Sequence, residues 1–295
     1  MNARFPVDLH VHTAASDGSD TPAGVVARAR RLGLRALAIT DHDTVAGLDE
    51  AREAGHAAGV EVVPGVEISI ANQPELDCLE IHLLGYFIDP AHPDLAEALR
   101  RARCARVEQK VAAVKRLQAL GFDVPVEEVL ALAGCGVPGR MHIAQVAFAR
   151  NPGRFADREQ IFREYLSPGG KAYVPRGYQI TLSEAATLIR RAGGLPVLAH
   201  PAGYRLVRDP QGLVRRAAGL GVAGLEGRYT YDKNRPHFGL DVASLGALIA
   251  TYTALAGALG LALAGGSDYH GERKSIELGE QGLTDEEFAA FKAKR

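Results

Sequence analysis

The sequence predicts an α/β fold built on a parallel sheet. Short apolar runs recur along the chain as strand candidates, and helix start and stop signals lie between them. The alternation breaks once, between residues 100 and 170, where every segment has helical periodicity. A chain of 295 residues, 47% hydrophobic and 23% charged, suits one large domain or one domain with an insertion. An α/β barrel alone takes roughly 250 residues.

The strand candidates are "VDLHVH" (7–12), "RALAIT" (35–40), "VEVVPGVEIS" (60–69), "EIHLLGYF" (80–87), "LPVLAHP" (195–201), "GVAGLEGRY" (221–229) and "LALAGGSDYH" (261–270). Most are continuous apolar runs, as in strands covered on both faces. In the first, strict alternation puts Asp8, His10 and His12 on one face and Leu9 and Val11 on the other. Thr21 and Pro22 supply an N-cap and a proline at the first helical position, and Gly33 ends that helix. "TLSE" (181–184) and "TDEE" (284–287) have capping-box spacing. The run 252–266, "YTALAGALGLALAGG", is shorter than the ~20 residues that span a bilayer and reads as a helix passing into a buried strand.

The interruption begins with one long amphipathic helix, "LRRARCARVEQKVAAVKRLQALG". "PVEEVLALAG", "GRMHIAQVAFAR" and "DREQIFREYL" follow, all helical in pattern. We therefore expect a barrel domain from 1–100 and 170–295, with an all-α insertion at 101–169. Arg100, Arg101, Arg103, Arg106 and Lys110 read as a solvated helix face.

The net charge of −1 gives no global footprint for a nucleic-acid polymer, although a local cationic pocket would serve a small phosphorylated ligand. Cys78, Cys104 and Cys135 form no CxxC pair and read as reduced, buried cysteines. With no apolar leader core near the N-terminus, the expected location is the cytoplasm, with no membrane and no protein partner implied. There is no GxSxG nucleophile motif. "GGKA" lacks the spacing and the Ser or Thr of a P-loop.

Nearly every strand candidate ends in a metal-competent side chain: His10 and His12, with Asp17 just beyond; His42; Glu67; His82; His200; and Asp268 with His270. In α/β barrels chemistry gathers at the C-terminal ends of strands. Taken singly, HxH, SDG and AHP are common in turns and strand ends. Together they exceed the roughly four to six ligands of one ion, so two or three divalent ions are expected.

The segments "DLHVHTAASDGSDTP", "ALAITDHDT", "PGVEIS", "HLLGYF", "AHP" and "GGSDYHG" closely resemble the PHP (polymerase and histidinol phosphatase) family. Within it, "GRMHIA" (139–144) is similar to a "GRPHIA"-like stretch in the helical insertion of stand-alone bacterial phosphoesterases. Met141 stands where proline is common, which bears on the local geometry of the insertion. The resemblance implies a distorted (β/α)7 barrel and three metal positions. His10, His12, Glu67 and Asp268 would hold the first, Glu67, His82 and His200 the second, and Asp17, His42 and His270 the third. Manganese is the expected metal, with iron or zinc as alternatives.

The resemblance also implies hydrolysis of a phosphomonoester on a small nucleotide, with nucleoside 3′,5′-bisphosphate as the best match. A metal-activated hydroxide would attack phosphorus in line. The alternatives are 5′→3′ exoribonuclease action on short 5′-phosphorylated RNA, histidinol-phosphate phosphatase activity, and a non-catalytic metal-stabilised module. Arg140, Lys171 and Arg176 are candidate phosphate contacts, and Ser19 and Tyr178 weaker candidates for substrate contact. His237, after the sixth strand, is a candidate phosphate contact or leaving-group proton donor. His56 reads as an exposed helix end, His92 as turn chemistry, and His142 as packing or substrate contact. The insertion would cover the substrate.

Overall fold

Each apolar run becomes a strand where neighbours complete its hydrogen bonds and helices cover its outer face. The computed structural model describes residues 3–133 and 137–295. Its described residues form one seven-stranded sheet in chain order. The strands are β1 (Val7–Val11), β2 (Ala36–Ile39), β3 (Glu61–Ser69), β4 (His82–Tyr86), β5 (Leu195–Leu198), β6 (Gly224–Arg228) and β7 (Ala262–Gly265). Bridges from Val11 to Tyr269 and from Val7 to Leu283 bring the first strand against the segment that follows the last. The sheet is thus a nearly closed barrel.

The helices are α1 (Pro22–Leu32), α2 (Leu48–Ala58), α3 (Pro93–Ala119), α4 (Val126–Ala133), α5 (Arg140–Arg150), α6 (Arg158–Ile161), α7 (Leu182–Arg191), α8 (Pro210–Gly219), α9 (Val242–Ala258) and α10 (Asp285–Lys292). The Thr21 side chain caps α1 and Gly33 ends it at φ 80°, a left-handed conformation that glycine adopts without strain. Thr181 and Thr284 form capping boxes with Glu184 and Glu287. None of the described helices is long and apolar enough to cross a membrane.

The all-parallel expectation fails at β4, which pairs antiparallel with both β3 and β5. The link from β3 to β4 carries only a 3-10 turn, Pro74–Leu76. A parallel crossover usually runs through a helix, and the link over 70–81 has no α-helix, so the chain returns antiparallel. Apolar runs do not encode strand direction.

Strict alternation also fails in β1. Asp8 pairs with Leu37, but Val11 rather than His10 pairs with Ile39, so one extra residue is inserted. Such a bulge shifts the side-chain phase. Val7 and Leu9 join the core cluster with Ala36, Ala38, Leu84, Tyr86, Val197 and Ala264. Beyond the bulge His10 and His12 turn toward Glu67, while Asp8 faces elsewhere. Phe288 and Phe291 of α10 belong to the same cluster, and Phe291 packs edge-on against Tyr86 at 5.3 Å.

The chain divides into two units, Met1–Leu99 with Ile180–Arg295, and Arg100–Gln179. The second has its own core, with Val114, Leu117, Ile143, Val146 and Ile161 packed around the rings of Phe122 and Phe155. Those two rings lie 4.7 Å apart. "DREQIFREYL" is not one continuous α-helix: α6 passes into a π-helical turn over Phe162–Leu166.

The basic face of α3 is not wholly solvated, since Arg103, Arg106 and Lys110 are half-buried. Burial pushes the Lys110 ammonium down to about 7, and repulsion from Arg106, Arg176 and Arg140 adds to it. Cys78 is buried but Cys104 is exposed on the solvent side of α3, contrary to the expectation for it; Cys135 lies outside the described residues.

Asp8, fully buried, fastens β1 to the last segments of the barrel. Its carboxylate accepts from Ser267 Oγ at 2.6 Å, Ser267 N at 2.9 Å and Gly279 N at 2.8 Å. Asp8→Ala leaves those donors buried without a partner. We expect a loss of about 3 kcal/mol of unfolding free energy in urea titrations. A loss below about 1 kcal/mol would show that the closure rests on other contacts.

Candidate metal centre

Glu67 stands at the middle of the strand-end side chains and is almost wholly buried. Its Oε1 lies 2.9 Å from His82 Nδ1 and 3.2 Å from His200 Nε2. Its Oε2 lies 3.3 Å from His10 Nε2, 3.2 Å from His12 Nε2 and 3.1 Å from His42 Nδ1. One carboxylate therefore presents its two oxygens to different imidazoles, the arrangement a bridging ligand takes.

Asp268 completes the His10–His12 side, with Oδ1 at 3.6 Å from His10 Nε2, 3.3 Å from His12 Nε2 and 3.4 Å from His270 Nδ1. Its backbone is left-handed, at φ 60°, a conformation that Asp tolerates better than most residues. Asp17, after the first strand, places Oδ1 3.3 Å from His270 Nε2 and 3.5 Å from His12 Nδ1; Oδ2 is 3.9 Å from His42 Nε2.

Three groupings emerge among the described residues, each with one ligand atom per residue and all such atoms within 4.8 Å: His12, Asp17, His42, His270; His10, His12, Glu67; and His42, Glu67, His82. His12 thus belongs to two groups, and His42 joins Glu67 as well as Asp17.

The donor set fits divalent ions. His10 Nε2 and His12 Nε2 lie 3.1 Å apart, and the separations from each to Glu67 and Asp268 run from 3.2 to 3.6 Å. Tetrahedral ligands at about 2.0–2.1 Å from an ion are about 3.3–3.4 Å from one another. His12 Nδ1 and His42 Nδ1 are buried and make no hydrogen bond, although carboxylate oxygens lie at 3.5 and 3.1 Å. Lone pairs near a carboxylate but not aligned for a shared proton suit ligation of a common ion.

Without an ion the cluster shares protons instead. Burial pushes His10 and His12 down, but Glu226, Glu67 and Asp268 around them outweigh it; His10 is raised well above the ordinary range and His12 to about 10. Burial dominates at His42, which falls to about 3. Burial would raise Glu67, Asp268 and Asp17, yet the surrounding imidazoles, with Lys274 at Asp268, hold all three well below the usual carboxylate range.

A further layer fixes these side chains. Asp268 Oδ2 accepts from Tyr229 Oη at 2.7 Å and from Lys274 Nζ at 2.6 Å, leaving Oδ1 for the histidines. Asp41 takes Thr13 N and Thr13 Oγ1 at 2.8 and 2.7 Å, bracing the chain after His12. Tyr204 Oη accepts from His82 N at 3.0 Å and donates to Ala199 O at 2.8 Å. Glu226, fully buried, meets His10 Nδ1 at 2.9 Å and His200 N at 2.8 Å. Glu226 and Lys274 are absent from the set read from sequence. A single carboxylate inside the apolar run "GVAGLEGRY" was the available signal for Glu226, because a buried charge must be paired. "GERKS" carried none for Lys274.

Among the other candidates in the barrel unit, Ser19 Oγ donates to Asp20 at 3.1 Å and accepts from Glu272 N at 2.9 Å. His237 Nε2 meets Ala202 O at 3.1 Å, two residues beyond His200. Arg140, Lys171, Arg176 and Tyr178 belong to the helical unit. There, Lys171 lies over the Tyr165 ring and Tyr178 lies beneath Arg101 at 4.0 Å. His142 Nδ1 accepts from Gly139 N at 3.1 Å, which caps the start of α5.

A PHP domain family model matches residues 8–173. The sequence is 38% identical over 201 residues to the 5′-3′ exoribonuclease Rnm of Salmonella typhimurium, covering 68% of this chain and 66% of that protein, just under two thirds of its length. It is 34% identical over 244 residues to the 3′,5′-nucleoside bisphosphate phosphatase of Chromobacterium violaceum, covering 77% of this chain and 79% of that one. A crystal structure from Bifidobacterium adolescentis, provisionally assigned as a metal-dependent phosphoesterase, superposes with a TM-score of 0.78 at 29% identity, covering 100% of this chain and 98% of that one.

These charges give the metal-free protein a defined pH response. His12 has a folded value of about 10, above its unfolded value of 6.5, so its contribution is full below 6.5 and lost as pH rises toward 10. His42, lowered to about 3, contributes above 6.5 and loses that contribution as pH falls toward 3, as do the lowered carboxylates at still lower pH. Chelator-treated protein should therefore lose urea midpoint as pH rises from 7 to 9.5, while on the acid side Asp8, raised by burial to about 6, offsets the loss from His42 down to about pH 4. A midpoint still rising from pH 7 to 9.5 would contradict this.

Proposed function

The chain belongs to the PHP domain family of metal-dependent phosphoesterases, and on that premise we propose that it hydrolyses the 3′ phosphoester of a 5′-phosphorylated nucleoside. The lead substrate is a nucleoside 3′,5′-bisphosphate such as pAp. The observation that carries the reading is Glu67, whose two oxygens face separate sets of imidazoles.

A bisphosphate and a short 5′-phosphorylated RNA offer the same bond, from the 3′ oxygen to phosphorus. They differ only in whether that phosphorus carries another nucleotide. Water adds to phosphorus and the 3′ oxygen leaves with a proton. The products are a nucleoside 5′-monophosphate and either phosphate or a shortened 5′-phosphorylated RNA. The net charge of −1 provides little long-range attraction for a polyanion, which favours the small substrate. Exoribonuclease action is the second reading, supported by the 38% identity to an enzyme of that name. Histidinol phosphate ranks third.

Divalent ions at this site, manganese in our reading with iron or zinc as alternatives, would lower the pKa of a water toward ~7 and neutralise phosphoryl charge. His10, His12, Asp17, His42, Glu67, His82, His200, Asp268 and His270 are assigned as the ligands. Tyr229 and Lys274 hold Asp268 so that one oxygen stays directed at His10 and His12. Arg140, Lys171 and Arg176 are assigned to anion recognition by their charge, with Ser19 and Tyr178 as further contacts. His237 is assigned to a phosphate oxygen or to protonation of the leaving oxygen.

Purified protein supplied with manganese should be assayed in parallel on pAp, a 5′-phosphorylated oligoribonucleotide and histidinol phosphate. We expect the highest kcat/KM on pAp and a loss of at least about 1,000-fold in kcat for Glu67→Ala with folding retained. Faster turnover of histidinol phosphate would overturn the substrate assignment. Near-normal turnover by the folded Glu67→Ala variant would overturn the site.

A further inference from the structure

We propose that Glu226 is a positioning residue that sets the tautomer of His10 and the backbone of His200 at once, and so determines whether the metal centre fills. This rests on the metal-centre reading above and goes beyond it, because Glu226 is itself no ligand.

Glu226 lies inside the barrel beside a register shift of β6 and is inaccessible to solvent. Its two oxygens have separate duties. Oε1 faces His10 Nδ1 at 2.9 Å, and Oε2 accepts the His200 backbone N–H at 2.8 Å. A carboxylate can only accept, so the proton of a neutral His10 ring sits on Nδ1. That leaves the lone pair on Nε2, the atom 3.1 Å from His12 Nε2 and 3.3 Å from Glu67 Oε2. A carboxylate behind a ligating imidazole does this elsewhere in metal sites. Here the same carboxylate also anchors the turn after β5, where His200 has φ 21°, a conformation a non-glycine residue keeps only when held. His10 and His200 contact different oxygens of Glu67. Glu226 thus ties together the two sides of that bridge.

Glutamine in this position cannot do both jobs. The His200 N–H is a backbone donor with no alternative, so the amide oxygen must serve it. The amide NH2 then faces His10 Nδ1. Two donors cannot share that contact, so His10 must accept at Nδ1 and carry its proton on Nε2. A protonated Nε2 has no lone pair for an ion. Glu226→Gln therefore keeps the volume and nearly all the packing but reverses the tautomer of one ligand.

The test uses full-length protein stripped of metal, with zinc as the diamagnetic probe. Glu226→Gln should stay folded when metal-free, melting below wild type because it removes a buried charge that faces His10. It should bind one zinc ion tenfold to a hundredfold more weakly in competition titrations. Equal zinc affinity and stoichiometry in wild type and variant would overturn the inference while leaving the metal centre standing. Wild type that binds no zinc and no manganese would overturn the metal-centre reading and this inference with it. Should the variant fail to fold, nitrogen-15 histidine spectra of zinc-loaded wild type decide the matter. A slowly exchanging proton on His10 Nδ1 supports the assignment, and a proton on His10 Nε2 refutes it.

Discussion

The structure depends on one electrostatic constraint, the packing of the His10, His12, His42, His82, His200 and His270 imidazoles against Asp17, Glu67 and Asp268. Glu67, His10 and His12 are buried, and each lies within 3.3 Å of another member of the group. Burying a charge without a partner costs several kcal/mol, and two imidazole nitrogens 3.1 Å apart need a proton or a cation between their lone pairs. Protons satisfy such a set only in part, as the orphaned Nδ1 atoms of His12 and His42 show. Divalent cations would take up those lone pairs. The same crowding that weakens the metal-free protein makes the site a strong ligand set.

The fold delivers this arrangement through the barrel's strand ends. β1, β2, β3, β5 and β7 contribute side chains at or just beyond their C-terminal ends, the antiparallel β4 brings its first residue, His82, to the same group, and the core beneath is aliphatic and aromatic packing with α10 among its members. Two irregularities aim the groups. The bulge in β1 lets Leu9 stay in the core while His10 enters the site, and the register shift in β6 lies beside Glu226. Bulges recur next to functional sites because they re-aim a side chain without dismantling the strand. Asp8 and Ser267 then hold the first strand against the loop that carries Asp268.

Much of this was legible in the sequence, for physical reasons that vary by element. All seven strands were readable because apolar runs with turn signals between them are distinctive, and the caps at Thr21, Thr181 and Thr284 were readable from local chemistry alone. The direction of β4 was not, since a strand covered on both faces reads the same in either direction; only the lack of a helix in the link before it hinted at the reversal. The phase change in β1 was invisible because a bulge is set by pairing with β2 and not by β1 itself. The histidines and carboxylates could be named from their places at strand ends. Which of them share an ion depended on distances no spacing encodes, as the double membership of His12 shows. Glu226 was overlooked because a lone glutamate in an apolar strand looks like an exception until its partners are known.

The chemistry follows from the same geometry. Glu67, with its oxygens turned to separate imidazole sets, and Asp268, whose orientation Tyr229 and Lys274 fix, are suited to concentrate positive charge where a phosphoryl group needs it. The measurement that tests this most directly is anomalous diffraction from crystals of the chain grown with manganese. The account predicts two or three peaks, each about 2.0–2.5 Å from atoms of the nine named side chains, with Glu67 touching more than one. Maps with no anomalous peak among those residues, despite manganese in the crystal, would contradict it.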